Sequence, residues 1–190
     1  MANWASTSYY IEGQQCDLRE IFNLCKDFMD CKRQPMKETA DNEWEGNVIM
    51  ALGMDVEKYY LRGFIQACEL DGDVLRIDAE EAWSLTDFKN ALESHYDGLK
   101  VYFFVEEPGM EVFATNDAEG CYFTERYWVD CCVGGEFYSE YFTTKKQAMA
   151  YVAKVLGKET VTEKEIEQWN DEHEIYADDY IYVHEFDIVD

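Results

Sequence analysis

The chain has 190 residues, of which 41 are Asp or Glu and 16 are Lys or Arg, so its formal net charge at pH 7 is -25. Contacts between phosphate and Lys or Arg dominate binding to nucleic acid and to anionic lipid, so this charge argues against direct binding to DNA, RNA or a membrane surface. The hydrophobic fraction of 47% supplies enough apolar surface for a packed core and argues against a disordered chain.

The length favours one domain over residues 1–190. No apolar run approaches the roughly 18 residues of a membrane span, and the first residues lack the pattern of a secretory signal. The 7 cysteines show no Cys-x-x-Cys spacing, which favours reduced thiols over a disulfide framework. We therefore expect a cytoplasmic protein.

The elements predicted up to residue 107 follow the order β-α-β-β-α-β. They are strands over 4–12, 60–69, 73–79 and 99–105, a helix over 17–31 begun by a capping box of Asp17 and Glu20, a hairpin turn at Asp71-Gly72, and a second long helix between Ser84 and Gly98. A further short helix is expected between Trp44 and Leu52. This order predicts a ferredoxin-like α+β fold, in which an antiparallel sheet carries two helices on one face, with a core over about 3–107.

The remainder, about 108–190, is expected to elaborate this core with extra β-hairpins and C-terminal helices. The predicted elements are strands near 110–116, 121–132, 136–142 and 180–188, a helix begun by Thr144 and Gln147, and a helix begun by Thr162 and Glu165.

Three short segments carry a family resemblance. They are Asn3-Trp4 with the strand through Ile11-Glu12-Gly13, then Glu81-Ala82-Trp83-Ser84 before a helix, and Glu106-Glu107-Pro108-Gly109-Met110 after a dense strand. With these segments the chain resembles, over most of residues 3–130, the YubB ferredoxin-like domain family, which is encoded mostly on plasmids, phages and related mobile elements. The resemblance implies a ferredoxin-like fold and a role in a mobile element, and it brings no catalytic residues. The chain departs from the family over 32–59 and after about 143.

Two carboxylate pairs, Glu80-Glu81 and Glu106-Glu107, stand at predicted strand ends and are candidates to converge at one edge of the sheet. Clustered carboxylates raise one another's pKa or hold a divalent cation, as general acids and metal sites require. The alternative interpretation is that they are charges on the rim of the sheet near a buried Trp83.

The segment 159–190 is strongly acidic, and Glu163, Glu167 and Asp171 lie one turn apart on one face of a predicted helix. Like charges at this spacing destabilise a helix by about 0.2 to 0.5 kcal/mol per pair, so a helix that keeps them is a candidate for a binding role. The alternative is that they only keep the protein dispersed in solution.

No catalytic, metal-binding or cofactor-binding pattern is present in the sequence. The three histidines are scattered, and Asp41-x-Glu43-x-Glu45-Gly46 lacks the later glutamate of a calcium loop, so it is interpreted as a solvated acidic loop. We therefore expect no cofactor.

The leading hypothesis is a non-enzymatic accessory protein of a mobile element that binds a basic partner protein. A sharper version is mimicry of DNA, in which carboxylates replace duplex phosphates and block a DNA-binding enzyme. A second hypothesis is a cation-dependent enzyme that uses Glu80, Glu81, Glu106 or Glu107. A third is a structural protein that forms a homodimer through aromatic residues of the later hairpins.

Overall fold

The computed structural model describes residues 4–82, 86–173 and 179–189 of the chain. The chain forms two compact units, Met1–Asp117 and Ala118–Asp190, which are called unit 1 and unit 2 below. Both units combine helices with antiparallel strands, so the predicted α+β class is confirmed. Within the described ranges, no helix is both long enough and apolar enough to cross a membrane.

Unit 1 is built on an antiparallel sheet. Its elements are, in chain order, β1 (Ala5–Glu12), α1 (Gln15–Met29), α2 (Glu45–Ala51), β2 (Gly63–Asp71), β3 (Val74–Glu81), α3 (Asp87–His95), β4 (Lys100–Glu107) and β5 (Val112–Thr115). Its strands lie in the order β2-β3-β1-β4-β5, and each neighbouring pair is antiparallel. Short 3-10 turns occupy Val56–Lys58 and Pro108–Met110.

The core of unit 1 lies between this sheet and its helices. Alternate side chains of β1 to β4 pack against α1, α2 and α3 in one cluster, which includes Tyr9, Ile11, Leu18, Ile21, Phe28, Ile49, Ile77, Phe88 and Phe103. Because successive strand residues point to opposite faces, a single shared cluster means that the three helices cover one face. The sequence predicted two helices on that face. The short helix predicted between Trp44 and Leu52, observed as α2, is a third.

The start of α1 differs from the prediction. The helix begins at Gln15, two residues earlier than expected, and its N-cap Gln14 makes no side-chain capping bond. The backbone carbonyl of Gln14 instead accepts from the Leu18 amide at 3.1 Å. The predicted capping box of Asp17 and Glu20 is therefore wrong, because Asp17 already lies in the first turn of the helix. There its carboxylate interacts favourably with the positive end of the helix dipole.

The predicted hairpin between β2 and β3 is present, with its turn shifted by one residue. Asp71 still pairs with Val74, so the two turn residues are Gly72 and Asp73. Gly72 has a φ of 58°, in the left-handed region that a two-residue hairpin turn requires and that glycine adopts without strain.

Unit 2 is built on a three-stranded sheet. Its elements are β6 (Tyr127–Val133), β7 (Glu136–Phe142), α4 (Lys145–Val155), α5 (Glu163–His173), β8 (Tyr180–Glu185) and β9 (Asp187–Ile188). The sheet has the order β7-β6-β8, with both pairs antiparallel. Helices α4 and α5 pack on one of its faces in a cluster that includes Val129, Cys131, Ala148, Val152, Ile166 and Ile181.

The two predicted capping boxes of unit 2 are confirmed. Before α4, the Thr144 hydroxyl accepts from the Gln147 amide, and the Gln147 side chain accepts from the Thr144 amide. Before α5, the Thr162 amide donates to Glu165 Oε2 at 2.8 Å, and the Thr162 hydroxyl accepts from the Glu165 amide. These reciprocal bonds satisfy amides that a helix start otherwise leaves without partners.

The strand predicted over 121–132 begins only at Tyr127. Arg126 explains the difference, because its Nη1 atom donates to the carbonyls of Phe123 and Glu125 at 2.6 and 2.8 Å. The guanidinium group thus holds the preceding residues in a loop.

Candidate functional site

The two predicted carboxylate pairs lie at the same end of the unit 1 sheet. In the strand register, Glu80 of β3 and Glu106 of β4 are both opposite Ser6 of β1. Glu80 is exposed and Glu106 is half-buried, whereas Glu81 and Glu107 are buried, with 1% and 7% exposure. Each pair is thus divided between the two faces of the sheet. Trp83, which was predicted to be buried nearby, lies outside the described residues.

Glu81 is paired with a carboxyl group that was predicted to be solvated. Glu45, the first residue of α2, is 1% exposed, as is Glu81. The interpretation of Asp41–Gly46 as a solvated loop is therefore wrong at Glu45, although Asp41 is exposed. The Tyr9 hydroxyl, also fully buried, donates to the Glu81 carboxyl at 2.7 Å. We call Tyr9, Glu45 and Glu81 the buried carboxyl cluster.

Burial changes the proton affinity of this cluster. Loss of solvation is the main cause that raises the pKa of Glu81 to about 7, and the polar neighbours Thr7, Tyr9 and Glu45 oppose it. Loss of solvation, followed by the charge of Glu81, raises the pKa of Glu45 well above its usual range. Burial also raises the pKa of Tyr9. Glu81 is therefore protonated below about pH 7, and above that pH its charge helps to hold the proton on Glu45.

Glycine allows the two carboxyl groups to approach the backbone. A Cβ atom at Gly63 would lie 2.3 Å from Glu45 Oε2 and 2.8 Å from Glu81 Cγ. A Cβ atom at Gly46 would meet the indole ring of Trp44 at 2.2 Å. That indole is fixed in turn by a 3.1 Å bond from Trp44 Nε1 to the Leu61 carbonyl. The buried carboxyl cluster is thus closely packed.

The cluster has the chemistry of a proton store inside the fold. With 1% exposure, neither Glu45 nor Glu81 is available to a substrate in solution in this conformation. Over residues 4–82, 86–173 and 179–189, no group of three or more His, Cys, Asp and Glu side chains is placed to hold a metal ion. The geometry therefore favours a structural role of the cluster over catalysis.

The third set of predicted residues lies on α5. Glu163, Glu167 and Asp171 are exposed, while Ile166 of the same helix is buried in the core of unit 2. Asn170 fixes the helix to β8 by two bonds with the backbone of Ile181, at 2.8 and 2.9 Å. The α5 carboxylates therefore form an outward row on a helix that is firmly attached to its sheet.

Lys145 forms an ion pair with this row. Lys145 Nζ, at the start of α4, lies 2.5 Å from Glu163 Oε1, and both side chains are largely exposed. Exposed ion pairs contribute about 0 to 1 kcal/mol, so this pair is easily exchanged for one with a partner. Glu167 and Asp171 have no ion pair with any residue that the structure describes.

The sequence was also compared with known proteins. No family model matches it, and no curated protein is significantly similar to it.

Proposed function

We propose that this protein is a non-enzymatic accessory protein of a mobile element, and that it binds a basic partner protein through exposed carboxylates. The observation that carries the proposal is the α5 row, in which Glu163, Glu167 and Asp171 point to solvent from a helix fixed by Asn170. The net charge of -25 gives the whole chain the field that attracts a cationic protein and accelerates the encounter.

A ferredoxin-like plan of unit 1 belongs to the same proposal. The strand order β2-β3-β1-β4 supports it, because β3 lies between β1 and β2 while β1 lies between β3 and β4. The two strands of each strand–helix–strand motif are thus separated in the sheet by one strand of the other motif, as in a ferredoxin-like fold. In this proposal, β5 and α2 are additions to the plan. The resemblance to the YubB family supplies the link to mobile elements.

DNA mimicry is the narrower form of the proposal. Residues four apart on a helix are separated by about 6 Å along its axis, whereas each strand of a duplex carries one phosphate per about 3.4 Å. The α5 row alone is therefore sparser than the backbone it would imitate. Binding of a basic protein is better supported than mimicry, and mimicry requires carboxylates beyond α5.

The cation-dependent enzyme is less well supported. The four glutamates that this enzyme would use, at positions 80, 81, 106 and 107, are divided between two faces of the sheet. Glu81 is in contact with Tyr9 rather than with solvent. A bound metal ion needs oxygen ligands that converge within about 2 to 2.6 Å of one point. Within the described parts of the chain, no such group is formed.

Neutralising the α5 row tests the proposal. We expect the triple variant Glu163→Gln, Glu167→Gln, Asp171→Asn to bind a labelled twelve-lysine peptide about five- to tenfold more weakly than the wild type at low salt, because each lost contact removes a fraction of a kcal/mol. Fluorescence anisotropy measures the affinity, and the difference should shrink as salt is raised.

The matched control carries the same loss of charge elsewhere: Glu38→Gln, Glu69→Gln, Asp71→Asn, all exposed in unit 1. It should retain most of the affinity. Equal weakening by the two triple variants would show that net charge alone governs binding, and would contradict a role of α5 as the binding surface.

The mimicry hypothesis has its own measurement. We expect the protein to slow cleavage of plasmid DNA by a restriction enzyme at low salt, and to lose this effect at raised salt, because screening weakens contacts between exposed charges. Cleavage that is unchanged at both salt concentrations would remove mimicry of a substrate for that class of enzyme. The wider proposal of a basic protein partner would still stand on the peptide measurement.

A further inference from the structure

The face of the unit 2 sheet that points away from α4 and α5 is rich in aromatic side chains. The strand register arranges nine residues of β7, β6 and β8 in three rows, which are Tyr141–Trp128–His184, Ser139–Asp130–Tyr182 and Phe137–Cys132–Tyr180. We call these nine residues the aromatic face. Phe137 is 76% exposed and Tyr182 is 51% exposed, so much of this surface is open to solvent.

The rings of the aromatic face are in contact with one another. Along β8, the ring centroids of Tyr180 and Tyr182 are 5.4 Å apart, and those of Tyr182 and His184 are 5.9 Å apart. Across the strands, Trp128 stacks on His184 at 5.1 Å and on Tyr141 at 6.2 Å. These distances are typical of interacting aromatic pairs, so five rings form one continuous row with a bend at Trp128 and His184.

A carboxylate occupies the centre of this face. Asp130, half-buried, is opposite Tyr182 on one side and Ser139 on the other. Burial, together with the charge of Asp130 and a hydrogen bond to it, raises the pKa of Tyr180, so the Tyr180 hydroxyl stays protonated beside Asp130. Within the described part of the chain, Asp130 has no ion pair with Lys, Arg or His. None of the nine residues is Lys or Arg.

We propose that the aromatic face binds an arginine side chain of the partner protein, with the guanidinium group stacked on Tyr182 and paired with Asp130. This inference rests on the proposed function in so far as the partner is basic. It concerns a different surface from the α5 row, which lies on the other side of the sheet.

The chemistry of the face selects arginine. A guanidinium group is planar, is weakly hydrated, stacks on aromatic rings and donates two parallel bonds to a carboxylate. Lysine offers a compact, strongly hydrated charge, and it gains less from a flat aromatic surface. Nucleic-acid bases also stack on aromatic residues, but their phosphates would meet Asp130 and the -25 charge of the chain.

The test compares three labelled probes by fluorescence anisotropy. They are a nine-residue peptide with four arginines separated by glycine and serine, its twin with lysine in place of arginine, and a nine-nucleotide single-stranded DNA. We expect the arginine peptide to bind about tenfold more tightly than the lysine peptide, and the DNA not to bind. Equal affinity for the two peptides, or preferred binding of the DNA, would overturn the inference.

Substitutions on the face locate the binding site. Asp130→Asn and Tyr182→Leu should each weaken the arginine peptide about tenfold and change the lysine peptide little, whereas Ser139→Ala, in the same row, should leave both unchanged. Circular dichroism and thermal melting confirm that each variant is folded. No effect of Asp130→Asn on the arginine peptide in a folded variant would overturn the inference.

The same variants separate this inference from the proposed function. The α5 triple variant should weaken both peptides by a similar factor. A loss seen only in that variant would overturn the aromatic face as the binding site, and a loss seen only in the Asp130 variant would remove the role of α5. Sedimentation tests a second copy of the chain as the occupant. A dimer that Tyr182→Leu converts to a monomer would overturn arginine binding in favour of self-association.

Discussion

Replacing Glu81 with glutamine is expected to stabilise the protein far more at pH 8 than at pH 5. In the folded chain, burial raises the pKa of Glu81 to about 7, from a usual value of 4.5. Glutamine has nearly the same shape, its carbonyl can accept from the Tyr9 hydroxyl, and it carries no charge that needs solvation. The substitution therefore removes the cost of burying an ionised carboxylate.

The direction of the pH dependence follows from the raised pKa. Between about pH 4.5 and pH 7 the folded state holds a proton on Glu81 that the unfolded state has released. The free energy of unfolding therefore falls as the pH rises through this window, and levels off above it. A shift of this size corresponds to roughly 3 kcal/mol, with the raised pKa of Glu45 adding in the same direction.

Urea unfolding followed by circular dichroism at fixed ionic strength, from pH 5 to pH 8, measures the effect. Glu80→Gln is the matched control, because it removes the same charge from the neighbouring residue of β3, whose side chain is exposed. In the control, the free energy of unfolding should depend on pH with the same slope as in the wild type. Identical slopes for Glu80→Gln and Glu81→Gln would contradict the assignment of the pH dependence to the buried carboxyl cluster.

Both members of the carboxyl pair were detectable from their position in the sequence. Glu45 precedes the apolar residues Val48 and Ile49 by three and four positions, which is the spacing of one helix face, and all three are buried in α2, as are Gly46 and Asn47 between them. Glu81 continues the alternation of Leu75, Ile77 and Ala79 in β3. A charged residue in phase with buried neighbours is the available signal, although charge alone predicts an exposed position.

Their contact with each other was not detectable. Glu45 and Glu81 are 36 positions apart, and they meet only because β2 and β3 bring Gly63 opposite Glu81 while α2 packs beside β2. Local spacing defines the helices and strands of unit 1 well, since it depends on neighbouring residues. Whether side chains of two distant elements come into contact depends on the sheet order and on which neighbouring residues are small enough to allow it.

The aromatic face of unit 2 shows the same limit. The runs over 121–132, 136–142 and 180–188 were predicted as strands, yet their register was not, and a shift of one residue moves every side chain to the opposite face. The late start of β6 at Tyr127 is set by Arg126, a single long side chain that binds carbonyls of its own loop. Asp130 is at the centre of the face only in the observed register.

Replacing Gly63 with alanine is expected to destabilise unit 1 by about 1 to 3 kcal/mol, the range for inserting a methyl group into a closely packed site. The new Cβ atom would lie 2.3 Å from Glu45 Oε2 and 2.8 Å from Glu81 Cγ, so the carboxyl pair would have to move. The backbone itself accepts alanine, since Gly63 has no positive φ. The same substitution at a tolerant site would stabilise by about 0.4 to 1 kcal/mol through the unfolded chain.

Gly13→Ala supplies the matched control for this prediction, because its Cβ atom would also meet a close neighbour, Leu99 Cδ1 at 2.6 Å. That neighbour is an apolar methyl group that can turn aside without breaking a hydrogen bond, whereas Glu81 is held by its bond from Tyr9, so we expect a loss below about 1 kcal/mol. Urea unfolding measures both variants, and similar losses would contradict the role given to the carboxyl pair. If contact with Glu45 is the cause, then Gly63→Ala should cost less in a Glu45→Ala background than in the wild type, since the carboxyl that the methyl group meets first is gone.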